Sequence, residues 1–442
     1  MATVARNTAL VPVPSTDRPF GWRDHASLWL SLGVGLLVMQ VGSFLVPALG
    51  TQAALAAIVG GSVIGAGLLA WTARIGCDSG LSSAGLMHAT YGSSFARLPV
   101  LLNIVQLVGW TTFELVVMRD GVTAILRRAG VLEPAAAPAG PQPLELLSPA
   151  SLPWPAVVAT LAFGLVLLLL VRGRMTTLVR RFMSRFGLPL VILSLAWLTW
   201  QFAGRAADMG WEAIWSREGK GGMSTLGALD LVIAMPISWL PLVADFSRHG
   251  RDGRDAFAGT WLGYAIANAW CYTLGVLVAL TTPSTDLVTA LLLAQGGLVA
   301  LGLILVDEVD NAYGDVYSGA VASHSLAPGL SVPGWGAAMA VVCTGLALVL
   351  PMHGLEPFLL TLSSVFVPLY GTILGRLGGR ADVASMVGAA RVHGSAVAIW
   401  LLGVGAFHLL PKVAPALGAA LPTLALTFVL ARLSRGRGPA IP

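Results

Sequence analysis

The chain has 442 residues, of which 56% are hydrophobic and only 11% charged, and its mean hydropathy is +0.80. Too little polar surface remains to cover a water-soluble globule of that size. The net charge is +5 and the pI about 9.4, yet the basic residues are scattered through short segments and build no basic domain for nucleic acid.

Apolar runs long enough for the roughly 20 residues of a membrane-crossing helix recur along the chain. They lack the period-two alternation of a β-barrel, so the sequence predicts an all-α integral membrane protein with about twelve transmembrane helices. In chain order the spans fall at 27–50, 52–75, 98–124, 153–171, 186–204, 224–245, 257–281, 297–323, 334–351, 355–375, 393–410 and 414–432. The polar segment 1–26 carries no cleavable signal pattern, so the first span is expected to stay in the protein. That span holds Gly33, Gly35, Gly42 and Pro47 and reads as an interrupted helix, with Gln40 near the interruption. The third carries Gln106, Trp110 and Glu114, spaced i, i+4, i+8 and therefore on one stripe: an amide, a flat π-face and a carboxylate stacked over two turns. The Ala/Pro-rich stretch from Arg127 to Pro153 and the loop from Gly204 to Thr225 are the longest connections, both predicted outside.

The sixth span contains Met235-Pro-Ile-Ser-Trp-Leu-Pro241, a second interrupted helix with Trp239 at its centre. Transporters built from inverted repeats break matching helices in each half to expose backbone groups at mid-membrane, whereas the plainer alternative is an ordinary proline kink. Asp245 and Arg248 at the end of this span read as a gate or an orienting pair. The eighth span, Val306-Asp-Glu-Val-Asp-Asn-Ala-Tyr-Gly-Asp-Val-Tyr-Ser318, sets four carboxylates among apolar residues. On a helical wheel Asp307, Asn311, Gly314 and Ser318 make a polar stripe, flanked by Asp310 on one side and by Asp315 and Glu308 on the other. Acidic groups this close in low dielectric do not all stay ionised, so proton binding is expected there.

Seven of the 26 Lys and Arg residues, Arg119, Arg127, Arg128, Arg205, Arg217, Lys220 and Lys412, fall outside or near an outer helix end when the N-terminus is inside; the other 19 fall inside. Both termini are therefore expected on the cytoplasmic side of a cell (inner) membrane, with the arginines facing anionic lipid. Cys77, Cys271 and Cys343 are too widely spaced for a disulfide framework or a metal site. No zinc-ligand spacing or Ser/His dyad appears in the helices, which argues against an intramembrane enzyme. The interrupted helices and the lack of repeated filter sequences argue against a channel.

Gly80-Leu-Ser-Ser, Tyr91-Gly, Val105-Gln-Leu-Val-Gly-Trp110, Ala244-Asp-Phe-Ser-Arg248 and Val316-Tyr-Ser-Gly-Ala320, in that order and spacing, resemble the nucleobase:cation symporter-1 family, the purine-cytosine permeases. Ala234-Met-Pro-Ile-Ser-Trp-Leu-Pro-Leu-Val-Ala-Asp245 and Ser363-Ser-Val-Phe-Val-Pro368 look closest to its hydroxymethylpyrimidine and cytosine branch. The similarity runs from about Trp22 to Arg376.

The resemblance implies a leucine-transporter-type fold, a five-plus-five inverted repeat with two extra C-terminal helices. Its core would be 27–376, with repeats at 27–204 and 224–376, followed by two helices and a tail at 377–442. It further implies a solute site between helices one, three, six and eight, and cation-coupled uptake without a cofactor. By position Trp110 inherits a stacking role and Glu114 a polar contact, with Gln40, Gln106 and Trp239 as further solute contacts; for Trp110 the plainer alternative is an interfacial anchor, and for Glu114 a structural pair with Arg119. Coupling falls to Asp307, Asp310, Asn311 and Asp315. Sodium-using members place hydroxyls where Asp310 and Asn311 stand, so Na⁺ at those two residues and proton coupling are both open. The expected solute is a nucleobase or related pyrimidine such as cytosine or hydroxymethylpyrimidine; the alternative is another flat nitrogenous or cationic solute such as thiamine or allantoin.

Overall fold

The structure, a computed structural model, describes residues 8–133, 152–283, 287–350 and 355–436. Arg6, Arg437 and most of the Ala/Pro-rich stretch after Arg127 lie outside the described residues. Each expected span coincides with a helix or a helix pair. The first is α1 (Trp22–Leu32) with α2 (Leu36–Phe44), followed by α3 (Thr51–Ser79), the short α4 (Ser83–Tyr91), α5 (Arg97–Arg128) and α6 (Trp154–Leu170). Then come α7 (Met175–Leu178), a π-helical stretch over Val179–Gly187, α8 (Leu188–Met209) and the short α9 (Trp211–Trp215). The sixth span is α10 (Thr225–Ser238) with α11 (Leu240–Ser247); α12 (Gly253–Thr281), the short α13 (Leu287–Leu292) and α14 (Gly297–Leu326) follow. The last are α15 (Val332–Val349), α16 (Leu355–Leu377), α17 (Gly394–Val413) and α18 (Ala420–Ser434).

Among the described residues eight helices are long and apolar enough to cross a membrane, and the bent pair α1–α2 makes a ninth. Of the remaining expected spans, α6 and α18 are shorter, at 17 and 15 residues, and α14 carries the acidic cluster. Sequence patterning did not anticipate α4, which follows α3 and is buried along its whole length against α11 and α16. Its start is set by Ser82, whose Oγ accepts the Gly85 N–H at 3.0 Å; such a cap satisfies one of the orphan donors of a first turn.

Both predicted interruptions are present, and their causes differ. Between α1 and α2 the chain turns by 59° across Gly33, Val34 and Gly35, with Gly35 fully extended at φ 175°, ψ 155°. A side chain at Gly35 would meet the Asn311 amide and the Glu308 carboxyl, each 3.3 Å from its Cβ position, so glycine is what lets α14 reach the helix-one backbone. In the sixth span Pro241 has no N–H to donate and Trp239 closes only a tight turn, its N–H reaching the Pro236 oxygen at 3.3 Å. The axis there continues as one 23-residue span. The interruption frees backbone groups without a sharp bend. Packing of α14 on α5, and of α12 on α1 and α2, brings the two interruptions and the acidic helix together in the middle of the bundle.

Candidate functional site

Where helices one, three, six and eight meet there is a narrow slit lined by Gly35, Leu37 and Val38 of the first span, Trp110 and Glu114 of α5, Met235, Ser238 and Trp239 at the second interruption, and Glu308, Asn311 and Asp315 of α14. It encloses about 390 Å³ between atoms.

Five of the expected residues thus line one space: Trp110, Glu114, Trp239, Asn311 and Asp315. Trp110 is buried and meets Phe358 edge-on at 5.1 Å; its indole N–H has no partner. Trp239 packs edge-on against Trp29 at 5.9 Å. Trp110 stands near the middle of α5, in the lining of the slit. Glu114 is not paired with Arg119, which donates to Asp120 at 2.8 Å and to the Ala347 carbonyl at 2.7 Å. The Glu114 carboxyl instead approaches that of Glu308, and its Oε2 is buried without a partner. No Lys or Arg lines the slit.

Two expected solute contacts fall elsewhere. The Gln106 amide donates to the Asn103 side chain at 3.0 Å and to the Ser238 carbonyl at 3.2 Å. Together with the bond from Asn103 to the Pro241 carbonyl at 2.9 Å, it holds α5 against the freed carbonyls of the second interruption. Its position on the stripe is as expected, but it serves as a strut one turn short of the slit. Gln40 lies one turn further along α2 than Leu37, in a neighbouring cavity with Phe113, Asp120 and Leu287.

The single polar stripe expected on α14 is corrected to two faces. Glu308, Asn311 and Asp315, at i, i+3 and i+7, face the slit. Asp307 and Asp310 lie about a quarter-turn away and face α1, where the Ser31 hydroxyl is 3.2 Å from Asp307 Oδ1 and 3.4 Å from Asp310 Oδ2. Glu308, a flank residue in the sequence reading, is the bridge between these regions. Its Oε1 accepts the Leu36 N–H at 2.5 Å, at the first turn of α2, and its Oε2 accepts the Asn311 amide at 3.3 Å. Asn311 also donates to the Val34 carbonyl at 3.0 Å, leaving its Oδ1 unpartnered. The i, i+3, i+7 spacing was the available signal for Glu308. Its contact with a backbone N–H 272 positions away was not readable from it.

Asp245 and Arg248 do not pair with each other: Asp245 accepts the Ser83 N–H at 3.1 Å, tying α11 to α4, and Arg248 reaches the Tyr317 hydroxyl at 3.5 Å. The three cysteines are free and buried, and among the described residues no three His, Cys, Asp or Glu side chains group around a point a metal ion could occupy.

The sequence profile of a family described as permeases for cytosine and purines, uracil, thiamine and allantoin matches residues 12–374. The chain belongs to this family. No curated protein matches it in sequence. Among solved structures it resembles Mhp1, a nucleobase-cation-symport-1 family transporter, in a closed conformation with bromovinylhydantoin bound; the TM-score is 0.76 at 15% identity, over 96% of this chain and 93% of that one. An inward-facing conformation of Mhp1 gives 0.73 at 16% identity, over 98% and 93%. A manganese transporter of Eremococcus coleocola gives 0.50 at 14% identity, over 98% and 90%. At these identities the likeness shows the fold, which is of the leucine-transporter type. The protein is a multi-pass membrane transporter, a secondary transporter of the nucleobase–cation symporter family, and not an enzyme.

Proposed function

We propose that this transporter imports an amino-substituted pyrimidine such as cytosine or hydroxymethylpyrimidine across the cell (inner) membrane, with both termini cytoplasmic and protons as the coupling ion. One observation carries the reading: the slit joins aromatic walls at Trp110 and Trp239 to buried acceptors with no partner, Glu114 Oε2 and Asn311 Oδ1. Such a space favours a flat ring whose edge donates hydrogen bonds, since a carboxylate and an amide oxygen offer acceptors and the buried cost of leaving them unpaired falls when a donor arrives. Trp110 stacks on the ring, Glu114 and Asn311 read its donor edge, and Trp239 and Asp315 close the slit.

Proton coupling is assigned to Asp307 and Asp310. A serine hydroxyl has one proton to donate, while Ser31 lies within hydrogen-bonding distance of both carboxyls; a proton on one aspartate completes the set. Sodium at Asp310 and Asn311 is the alternative. It is disfavoured because Asp310 turns toward Ser31 while the Asn311 amide occupies the Val34 carbonyl. The repeats run over 27–204 and 224–376 in this reading, with α17 and α18 as the added pair.

A second reading is a flat cationic solute of the thiamine kind. It is favoured by three carboxyl groups around the slit, Glu114, Glu308 and Asp315, with no basic residue among the lining. The deciding experiment is radiolabelled uptake into proteoliposomes, with cytosine, hydroxymethylpyrimidine, uracil, purines, allantoin and thiamine as competitors and Na⁺ and H⁺ gradients imposed separately. Competition by the aminopyrimidines under a proton gradient is expected. Competition by purines or allantoin alone, or uptake that needs Na⁺ and ignores pH, defeats the proposal.

A further inference from the structure

Away from the slit, the C-terminal ends of α3, α16 and α18 enclose a second cavity of about 640 Å³, lined by Trp71, Arg74, Asp78, Arg380 and Arg432 around the backbone of Leu377 to Gly379. We propose that this cavity binds the phosphodiester headgroup of an anionic phospholipid.

The charge balance is the first argument. Arg380 is neutralised by Asp382, to which it donates twice, at 2.8 and 2.5 Å. Arg74 faces Asp78 at 3.5 Å, with both side chains partly open to solvent. Among the described residues neither Arg432 nor Arg435 has a carboxylate within 4 Å. Each instead sends one donor, at 2.7 Å, to the same acceptor, the Gly378 carbonyl. Two guanidiniums on one carbonyl are an unbalanced arrangement. Burial, then the like charges of Arg432 and Arg380, hold the Arg435 guanidinium below its ordinary value. The uncompensated charge of Arg432 therefore lies in the lining of a cavity wide enough for a phosphate, with Arg435 bonded to the same lining carbonyl, and each planar fork has donors left over for phosphate oxygens.

Location identifies the source of that phosphate. All three helices end here in a bundle whose solvent is lipid, so the cavity sits at headgroup depth. Trp71, packed on Phe428 at 5.4 Å, supplies the amphipathic ring typical of that layer. Next to Arg432 the outer surface of α18 is apolar, with Val429 50% and Leu433 78% exposed, which offers acyl chains a track leading up to the arginines. Basic pockets between transmembrane helices at the cytoplasmic face are a recurring mode of headgroup binding, and the orientation proposed above puts this end there.

The test is native mass spectrometry of the purified full-length protein titrated with phosphatidylglycerol, phosphatidylcholine or inorganic phosphate. Phosphatidylglycerol should bind in preference to phosphatidylcholine. Arg74→Gln should weaken it about fivefold, and Arg74→Gln with Arg432→Gln about 25-fold. Arg432 also secures the end of α16, so the double variant is checked by gel filtration and solute uptake; Arg74→Gln removes no bond to the backbone and keeps the test readable alone. Equal binding of the two lipids, or binding unmoved by Arg74→Gln, overturns the proposal. So does phosphate binding that falls in the variants without any lipid preference, which would make the ligand a soluble phosphate.

Discussion

The two acidic faces of α14 are built from the same residue type on the same helix, and their surroundings give them different chemistry. Glu308 and Asp315 line the slit with Trp110 and Glu114, whereas Asp307 and Asp310 face a hydroxyl of α1. Each carboxylate in a membrane helix costs about 2.5 to 3.5 kcal/mol to insert. The slit face has unpartnered acceptors and aromatic walls. The α1 face has internal contacts to the Ser31 hydroxyl. In the reading proposed above one helix holds both halves of symport, and Glu308, bonded to Leu36 of the helix-one break and to Asn311, lies between them.

The sharpest way to break this division is Asp310→Asn. Accumulation against a gradient under an imposed pH difference should be lost entirely, while counterflow exchange and solute binding persist, because a permanently neutral group mimics the protonated state but cannot cycle. If the variant still concentrates solute, or if it loses binding as well, the two faces are not separate in function.

On the slit face, Trp110→Ala removes a stacking surface worth about 1 to 3 kcal/mol and should weaken apparent affinity by roughly one to two orders of magnitude. The effect is read as a rise in half-saturating concentration with normal membrane insertion; an unchanged value would reduce Trp110 to packing. Glu114→Gln should act on selectivity more than on affinity. The amide both donates and accepts, so the preference for cytosine over uracil should fall by about tenfold, the scale of one hydrogen bond to a charged group. A competition ratio equal to that of the unaltered protein would remove Glu114 from solute reading.

The smallest effect is expected at Gln40. Its side chain lies in the neighbouring cavity, so Gln40→Ala should change affinity by no more than about twofold, the scale of a substitution away from a site. A loss comparable to that of Trp110→Ala would show that α2 rotates into the slit during transport.

Spans, interruptions and site-forming helices were legible along the chain because they depend on local chemistry. Twenty apolar residues must form a helix in lipid, where backbone groups have no water to bond. Glycine tolerates the extended backbone found at Gly35, and proline has no N–H to continue a helix at Pro241. The spacing of Gln106, Trp110 and Glu114 put them on one stripe, and the structure keeps them there. What each stripe faces was decided only by tertiary packing. A helix period fixes which residues share a side, but a rotation of a few tens of degrees about the axis selects the neighbour. That is why Gln106 became a strut, and one expected polar stripe on α14 divided into a slit-facing set with Glu308 and an α1-facing pair at Asp307 and Asp310.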